Sequence, residues 1–214
     1  MKIVNNSDGK PYYTQRNNEL FPSSACNVTS MVSGLAAAGW PFAAGKYRQP
    51  EDNLMDFIRS NPTVKKRWDV IDPQHTTPPN QIHELICLGT NLWIEHLKGP
   101  KIELLWQLYP SDVVKIIDEG GAVVMSGRFQ DSKIGYLGHI VAVVGYQATD
   151  AGEITHFIID DPWGDYETLY RVQRGDDVFM PLSDWLSMMR EQKNPYKFGH
   201  VIKKFKTQGT ECGG

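Results

Sequence analysis

The stretch GHIVAVVGYQATDAGEITHFIIDDPWGDY, residues 138–166, decides the fold class of this chain. Two runs within it, 139–146 and 154–160, are rich in β-branched and aromatic residues, which is typical of strands. The intervening segment 149–152 reads Thr-Asp-Ala-Gly and is a turn signal. The stretch therefore predicts an antiparallel hairpin.

The predicted hairpin places a histidine opposite a carboxylate. If the hairpin is centred on Asp150, His139 lies directly opposite Asp161 on one face of the sheet, with Cβ atoms roughly 4.5–5.5 Å apart. The same register puts Asp160 and His156 on the opposite face, and a shift by one residue would exchange the two faces. A carboxylate beside an imidazole is the arrangement that orients a catalytic base.

Helices are predicted before this hairpin and further strands around it. Val28, Met31, Val32 and Leu35 recur at helical spacing after Cys26. Five helices are predicted: three that begin at Cys26, Pro50 and Pro110, and two that span 80–88 and 182–189. Three further strands are predicted at 122–126, 166–172 and 200–206. The Pro-rich middle of 40–101 is expected to be a long surface excursion.

This order of elements predicts one α+β domain over residues 1–214, with a helical part at about 23–120 and a sheet part at about 121–206. The 214 residues are 41% hydrophobic, which is enough for one well-packed core. A functional site in such a fold is expected in the cleft between the two parts.

Charge and hydropathy exclude several classes of protein. The formal net charge is −3 and the pI about 6.1, which does not match the basic surface of a nucleic-acid-binding protein. No apolar stretch reaches the roughly 20 residues that span a bilayer. The segment 1–10 holds no signal-peptide core, so we expect synthesis in the cytoplasm. We also expect a monomeric protein.

Cys26 is the candidate nucleophile among three cysteines, the others being Cys87 and Cys212. An odd, sparse set without a CxxC pair argues against a disulfide framework and against a closed zinc site. At a helix start, unpaired backbone N–H groups and the helix dipole favour a thiolate. The alternative is that Cys26 is one more small buried residue.

A polar residue ahead of the nucleophile is a candidate for binding a developing oxyanion. The side-chain amide of Gln15, together with the backbone N–H of Cys26, suits that role. Asn17, Asn18 and Asn27 are rivals for it.

The motifs resemble the C39-like branch of the papain-fold cysteine peptidases. They are YYTQRNNELFPSSACNVTSMV (12–32), EGGAVVMSGRF (119–129), GHIVAVVGY (138–146) and IIDDPWGDY (158–166). The resemblance implies a papain-like fold with Cys26 as nucleophile, His139 as base, Asp161 as the residue that orients it and Gln15 as oxyanion donor. Where the family commonly has Cys-Gly-Pro or Cys-Gly-Ala, this chain has Asn27 after the cysteine.

The resemblance implies hydrolysis of an amide bond without a cofactor. A small chain with this signature resembles phage-borne lysins, which implies a peptidoglycan substrate and action at the bacterial cell wall after release. Two alternatives are a processing peptidase that cleaves after Gly-Gly and a non-catalytic binding module on the same fold. Carboxylates near the end of the hairpin are candidate calcium ligands, namely Asp160, Asp161, Asp165 and Glu167.

Overall fold

The computed structural model describes residues 1–42, 45–189 and 197–206. Within these residues the chain forms six α-helices and one seven-stranded antiparallel sheet. The predicted α+β class is therefore confirmed. None of the helices in the described part of the chain is long and apolar enough to span a membrane.

The helices fall mostly before the central hairpin. They are α1 (Cys26–Ala37), α2 (Pro50–Ser60), α3 (Pro62–Ile71), α4 (His83–Ile94), α5 (Pro110–Asp118) and α6 (Leu182–Met188). Prolines at the first helical position open α2, α3 and α5, because proline has the required φ and lacks only an N–H that would stay unpaired there.

The strands form one sheet in the order β2-β7-β3-β4-β5-β6, with β1 also paired to β4. Their bounds are β1 (Lys2–Asn5), β2 (Glu103–Leu105), β3 (Ala122–Asp131), β4 (Gly135–Ala148), β5 (Ile154–Asp161), β6 (Gly175–Pro181) and β7 (Gly199–Ile202). The predicted hairpin of 138–166 is thus the centre of the sheet.

Both faces of the sheet are buried, which explains why the run 140–144, Ile-Val-Ala-Val-Val, has no polar residue. Alternate side chains of β4 point to opposite faces. Ile140, Ala142 and Val144 pack in one core with the apolar residues of α1, α2 and α4. Val141 and Val143 pack in a second core with residues of α5 and α6.

The predicted strand 166–172 is wrong. Residues Tyr166–Thr168 form a short 3₁₀ helix, and the strand that pairs with β5 is β6, seven residues long. The Asp165 side chain accepts a hydrogen bond from the backbone N–H of Glu167, which folds the chain into a turn instead of a strand.

The region 40–101 is more helical than expected. The predicted helix at 80–88 is α4, which begins later and continues through Gly89 to Ile94. The helix α3 was not predicted. The Pro-rich segment is a short connection rather than a long excursion, and Thr77 within it accepts a hydrogen bond from the Trp68 indole.

Gly145 allows β1 to approach β4, and its substitution tests this packing. A Cβ at Gly145 would overlap the backbone carbonyl oxygen of Val4. We expect Gly145→Ala to lower the free energy of unfolding by about 1–3 kcal/mol, the usual cost of overpacking. Gly138→Ala is the control, because no atom lies within 4 Å of its Cβ position. Urea unfolding that shows equal stability for both variants would contradict this.

Candidate active site

Cys26 begins α1 and is half-buried, with a free thiol. The residue before it, Ala25, is the N-cap and has no side chain that could bond the first helical N–H groups. Ser23 and Ser24, the nearest hydroxyl side chains before it, lie in a preceding 3₁₀ turn. The start of α1 therefore places the positive end of the helix dipole near the thiol.

Asn27, the departure from the family pattern, anchors this helix start. Its side-chain amide donates to the backbone oxygen of Asn80, and its Oδ1 accepts from the N–H of Val28 at 2.8 Å. Asn27 is buried, so the amide ties α1 to the segment before α4. This bond engages one of the two N–H groups of the amide that made Asn27 a rival oxyanion donor.

His139 lies within β4, directly across from Gly127 on β3. The imidazole is only 2% exposed, and the rings of Phe129 and Tyr170 meet it edge-on at centroid distances of 5.2 and 5.9 Å. Its Nε2 is 2.6 Å from Oδ1 of Asp161. Because Nε2 is used in this way, Nδ1 is the nitrogen available to a thiol.

The predicted contact between His139 and Asp161 exists, although the hairpin register differs from the prediction. Asp160 pairs with Ala142, so His139 does not lie directly opposite Asp161. The pairing is displaced by two residues there and has bulges nearer the turn. A displacement of two preserves the face, and diagonal neighbours remain within reach of long side chains.

Helix α1 is fixed to β4 beside the histidine. The Ser30 hydroxyl, one helical turn after Cys26, donates to the backbone oxygen of Ile140 at 2.8 Å. Both residues are buried, so this hydrogen bond fixes the position of α1 along β4. The thiol of Cys26 consequently interacts with the imidazole of His139.

Asp161, at the end of β5, is fully buried and receives several donors. Its Oδ1 accepts from the backbone N–H of Trp163 at 2.9 Å as well as from His139. Its Oδ2 accepts from the Tyr170 hydroxyl at 3.1 Å. Its backbone oxygen accepts from the Tyr12 hydroxyl at 2.6 Å. The carboxylate is therefore held on both oxygens.

The charges around the buried imidazole favour its protonated form. Burial by itself lowers the pKa of His139, but the adjacent carboxylate of Asp161 and the thiol of Cys26 outweigh that effect and raise the pKa well above its ordinary value. His139 therefore lies between the thiol of Cys26 and the carboxylate of Asp161, and both neighbours favour its protonated form.

Gln15 reaches the same region through its backbone. Its N–H donates to the carbonyl oxygen of Pro162 at 3.1 Å, next to Asp161. Its side-chain Nε2 donates to the oxygen of Pro22 at 2.7 Å, and its buried Oε1 has no hydrogen-bond partner among the described residues. One N–H of the amide remains for an oxyanion, so the role of Gln15 stays a prediction.

Trp163 links the Gln15 segment to the end of β5. The guanidinium of Arg16 lies 3.8 Å from the centre of the indole, and its Nε donates to the Trp163 oxygen at 2.7 Å. The indole N–H donates to Asp131 at 3.1 Å. Arg16 and Asp131 were not singled out in the sequence, because a loop arginine and a turn aspartate are ordinary there.

The carboxylates considered for calcium do not form one group. Asp160 is buried and lies near Asp176 and Asp177, whereas Asp165 accepts a hydrogen bond from the backbone of Glu167. Burial, reinforced by the neighbouring charges, raises the pKa of Asp160 to about 7. Among the described residues, the group that contains Asp160 therefore includes none of the other three predicted calcium ligands, Asp161, Asp165 and Glu167.

The remaining cysteines and histidines lie elsewhere. The Cys87 thiol, on α4, donates to the oxygen of Ile102, and burial raises its pKa. Cys212 lies outside the described residues. His83 and His200 contact each other at 3.1 Å. His139 is the histidine that meets the predicted carboxylate.

Comparison with known proteins assigns the chain to a family and identifies a similar fold. The sequence model of the Peptidase_C39 like family matches residues 8–188. The fold is similar to a crystal structure assigned as a C39-like peptidase from Bacillus anthracis, with a TM-score of 0.53 and 17% identity. That match covers 96% of this chain and 100% of the other. No curated protein shows significant similarity to the chain.

The family match includes the segments that carry Cys26, His139 and Asp161. At 17% identity the structural likeness bears on the fold alone, so the assignment depends on the family match. Because that match spans most of the sequence, the chain belongs to the Peptidase_C39 like family.

Proposed function

We propose that this protein is a cysteine peptidase in which Cys26 is the nucleophile, His139 the base and Asp161 the residue that orients it. The observation that carries the proposal is the buried 2.6 Å contact between His139 and Asp161, beside a free thiol at a helix start. Membership of a peptidase family supports the same reaction class.

The proposed first half-reaction is acylation of the thiol. The Cys26 thiolate attacks the amide carbonyl carbon, and the developing oxyanion accepts from the N–H of Cys26 and the amide of Gln15. The imidazolium of His139 then gives its Nδ1 proton to the leaving amine as the C–N bond breaks. Asp161 keeps Nε2 protonated throughout, which directs Nδ1 towards the thiol.

The second half-reaction is hydrolysis of the thioester. Neutral His139 takes a proton through Nδ1 from a water molecule, which attacks the acyl carbon. Collapse of the tetrahedral intermediate releases the carboxylic acid and restores the thiolate beside the imidazolium. Every proton moves between His139, the substrate and the attacking water molecule, so the proposed reaction uses no cofactor.

We propose the peptides of peptidoglycan as the substrate, with the protein acting as a monomer at the bacterial cell wall after release from the cell. The sequence resemblance to phage-borne lysins supports this choice. Cleavage of proteins after Gly-Gly is the competing substrate within the same reaction. A binding module on this fold would need neither a reactive thiol nor a protonated His139.

The pH dependence of alkylation tests the nucleophile–base pair. At pH 6 we expect iodoacetamide to modify Cys26 rapidly, because the raised pKa of His139 keeps an imidazolium beside the thiolate. In His139→Ala the alkylation rate at pH 6 should fall by about tenfold or more. In that variant the rate should increase only as the pH approaches ~8.5, the pKa of an ordinary thiol. Peptide mass spectrometry gives the rate for each cysteine.

Cys87 is the internal control for this measurement, because burial raises the pKa of its thiol and it should stay unmodified at pH 6. Equal pH profiles for Cys26 in the wild type and in His139→Ala would show an ordinary thiol. The binding-module interpretation would then replace the peptidase.

Digestion of purified peptidoglycan tests the substrate. We expect the wild type to release peptide fragments with new amino termini, which mass spectrometry identifies. Cys26→Ala should lose this activity and remain folded, because one sulfur atom at a half-buried position contributes little packing. A Gly-Gly-containing peptide forms the parallel assay. Cleavage of that peptide with intact peptidoglycan would overturn the proposed substrate and keep the reaction.

A further inference from the structure

The second oxygen of the orienting carboxylate has a partner that the sequence did not indicate. The Tyr170 hydroxyl donates to Oδ2 of Asp161 at 3.1 Å. Asp161 is fully buried and Tyr170 is 6% exposed, so water does not compete at this bond. Oδ1 is already used by His139 and by the backbone of Trp163. The phenol is therefore the donor that the described residues supply to Oδ2.

Tyr170 can act only as a donor in this position. Burial, and then the charge of Asp161, raise the pKa of its phenol far above the ordinary value. The hydroxyl consequently keeps its proton at every pH at which the protein would work. A hydrogen bond to an ionised carboxylate is stronger than one between neutral groups.

The backbone adopts an uncommon conformation to deliver this side chain. Leu169 and Tyr170 have φ values of 53° and 61°, a region that bulky L-residues rarely adopt. The N–H of Tyr170 donates to the oxygen of Asp165 at 3.0 Å, and the oxygen of Leu169 accepts from Ser132 at 3.2 Å. Such strain persists where the surrounding structure enforces it and is concentrated at functional sites.

The Tyr170 ring also closes one side of the histidine pocket. It meets the imidazole of His139 edge-on with centroids 5.9 Å apart, while Phe129 meets the same imidazole at 5.2 Å. The tyrosine thus touches both members of the buried pair, one through its hydroxyl and one through its ring. A phenylalanine in its place would keep the ring contact and lose the hydroxyl.

We propose that Tyr170 is a positioning residue, which holds the Asp161 carboxylate so that Oδ1 faces Nε2 of His139. This inference rests on the proposed function of Cys26, His139 and Asp161. Without the phenol, Oδ2 is a buried acceptor with no donor, and the carboxylate turns to share the donors at Oδ1. The imidazole of His139 then loses part of its alignment with the thiol, and Cys26 reacts more slowly at acidic pH.

The test is the rate of Cys26 alkylation at pH 6 in Tyr170→Phe. Phenylalanine keeps the aromatic ring and has to adopt the same positive φ as tyrosine. We expect a rate about tenfold lower than in the wild type, since a hydrogen bond to a charged group is lost. Tyr166→Phe is the matched control. Tyr166 lies in the same loop with equal exposure, but its hydroxyl donates to Asp184 at 3.3 Å.

A double-mutant cycle separates positioning from a general structural role. If Tyr170 acts through Asp161, adding Tyr170→Phe to Asp161→Ala should change the alkylation rate by less than about twofold. Circular dichroism and urea unfolding establish that each variant is folded under the assay conditions. An additive loss in the double variant would mean that Tyr170 does not act through Asp161.

The outcomes distinguish this inference from the function on which it rests. If the wild-type rate depends on His139 but Tyr170→Phe and Tyr166→Phe both react like the wild type, the positioning role is wrong and the proposed peptidase site is retained. If the wild-type rate does not depend on His139, the proposed function fails and the inference fails with it.

Discussion

The buried pair of His139 and Asp161 is the interaction on which the rest of the site depends. Placing a carboxylate and an imidazolium in a pocket with at most 2% exposure is costly, and their mutual attraction offsets this cost only with good geometry and further hydrogen bonds. Trp163 and Tyr170 supply those bonds, one to each carboxylate oxygen. The pair is thereby stabilised in its charged form, which is the form that a neighbouring thiolate needs.

The fold places Cys26, the proposed nucleophile, beside this pair through packing and hydrogen bonds that take no part in the proposed reaction. Ser30 fixes α1 to β4 one turn after Cys26, and the central strand is buried on both faces, so neither element can shift without loss of packing. The guanidinium of Arg16 stacks on the indole of Trp163 and donates to its backbone oxygen. This contact joins the Gln15 segment to the residues after Asp161. The residues proposed as oxyanion donor, nucleophile and base are consequently held by separate elements of the fold.

Much of this site could be predicted because its signals are local. The hairpin of residues 138–166 was predicted from two strand-like segments and the turn between them. The actual register differs by two residues, which leaves His139 and Asp161 on the same face of the sheet. A displacement of one would have exchanged Asp161 for Asp160. The start of α1 at Cys26 was equally local, since the apolar spacing of the helix begins there.

The failures concern features that depend on distant contacts. Residues 166–172 have strand-like composition, yet Asp165 turns the chain, and Ser132 on another loop holds Leu169 in a left-handed conformation. That turn is what carries Tyr170 to Asp161, so the wrong strand also hid the tyrosine. The helix α3 was missed for a related reason. Of its residues only Val64 is fully buried, and Trp68 and Ile71 pack against the core in part, so the sequence of this helix is largely polar.

The most direct test of the account is the protonation state of His139 in the resting protein. ¹⁵N-edited NMR of the imidazole at pH 7, assigned by comparison with His139→Ala, reports whether one or both ring nitrogens carry a proton. The raised pKa predicts protons on both, with the Nε2 proton shifted downfield by the short bond to Asp161. A single protonated nitrogen at pH 7 would contradict the thiolate–imidazolium pair.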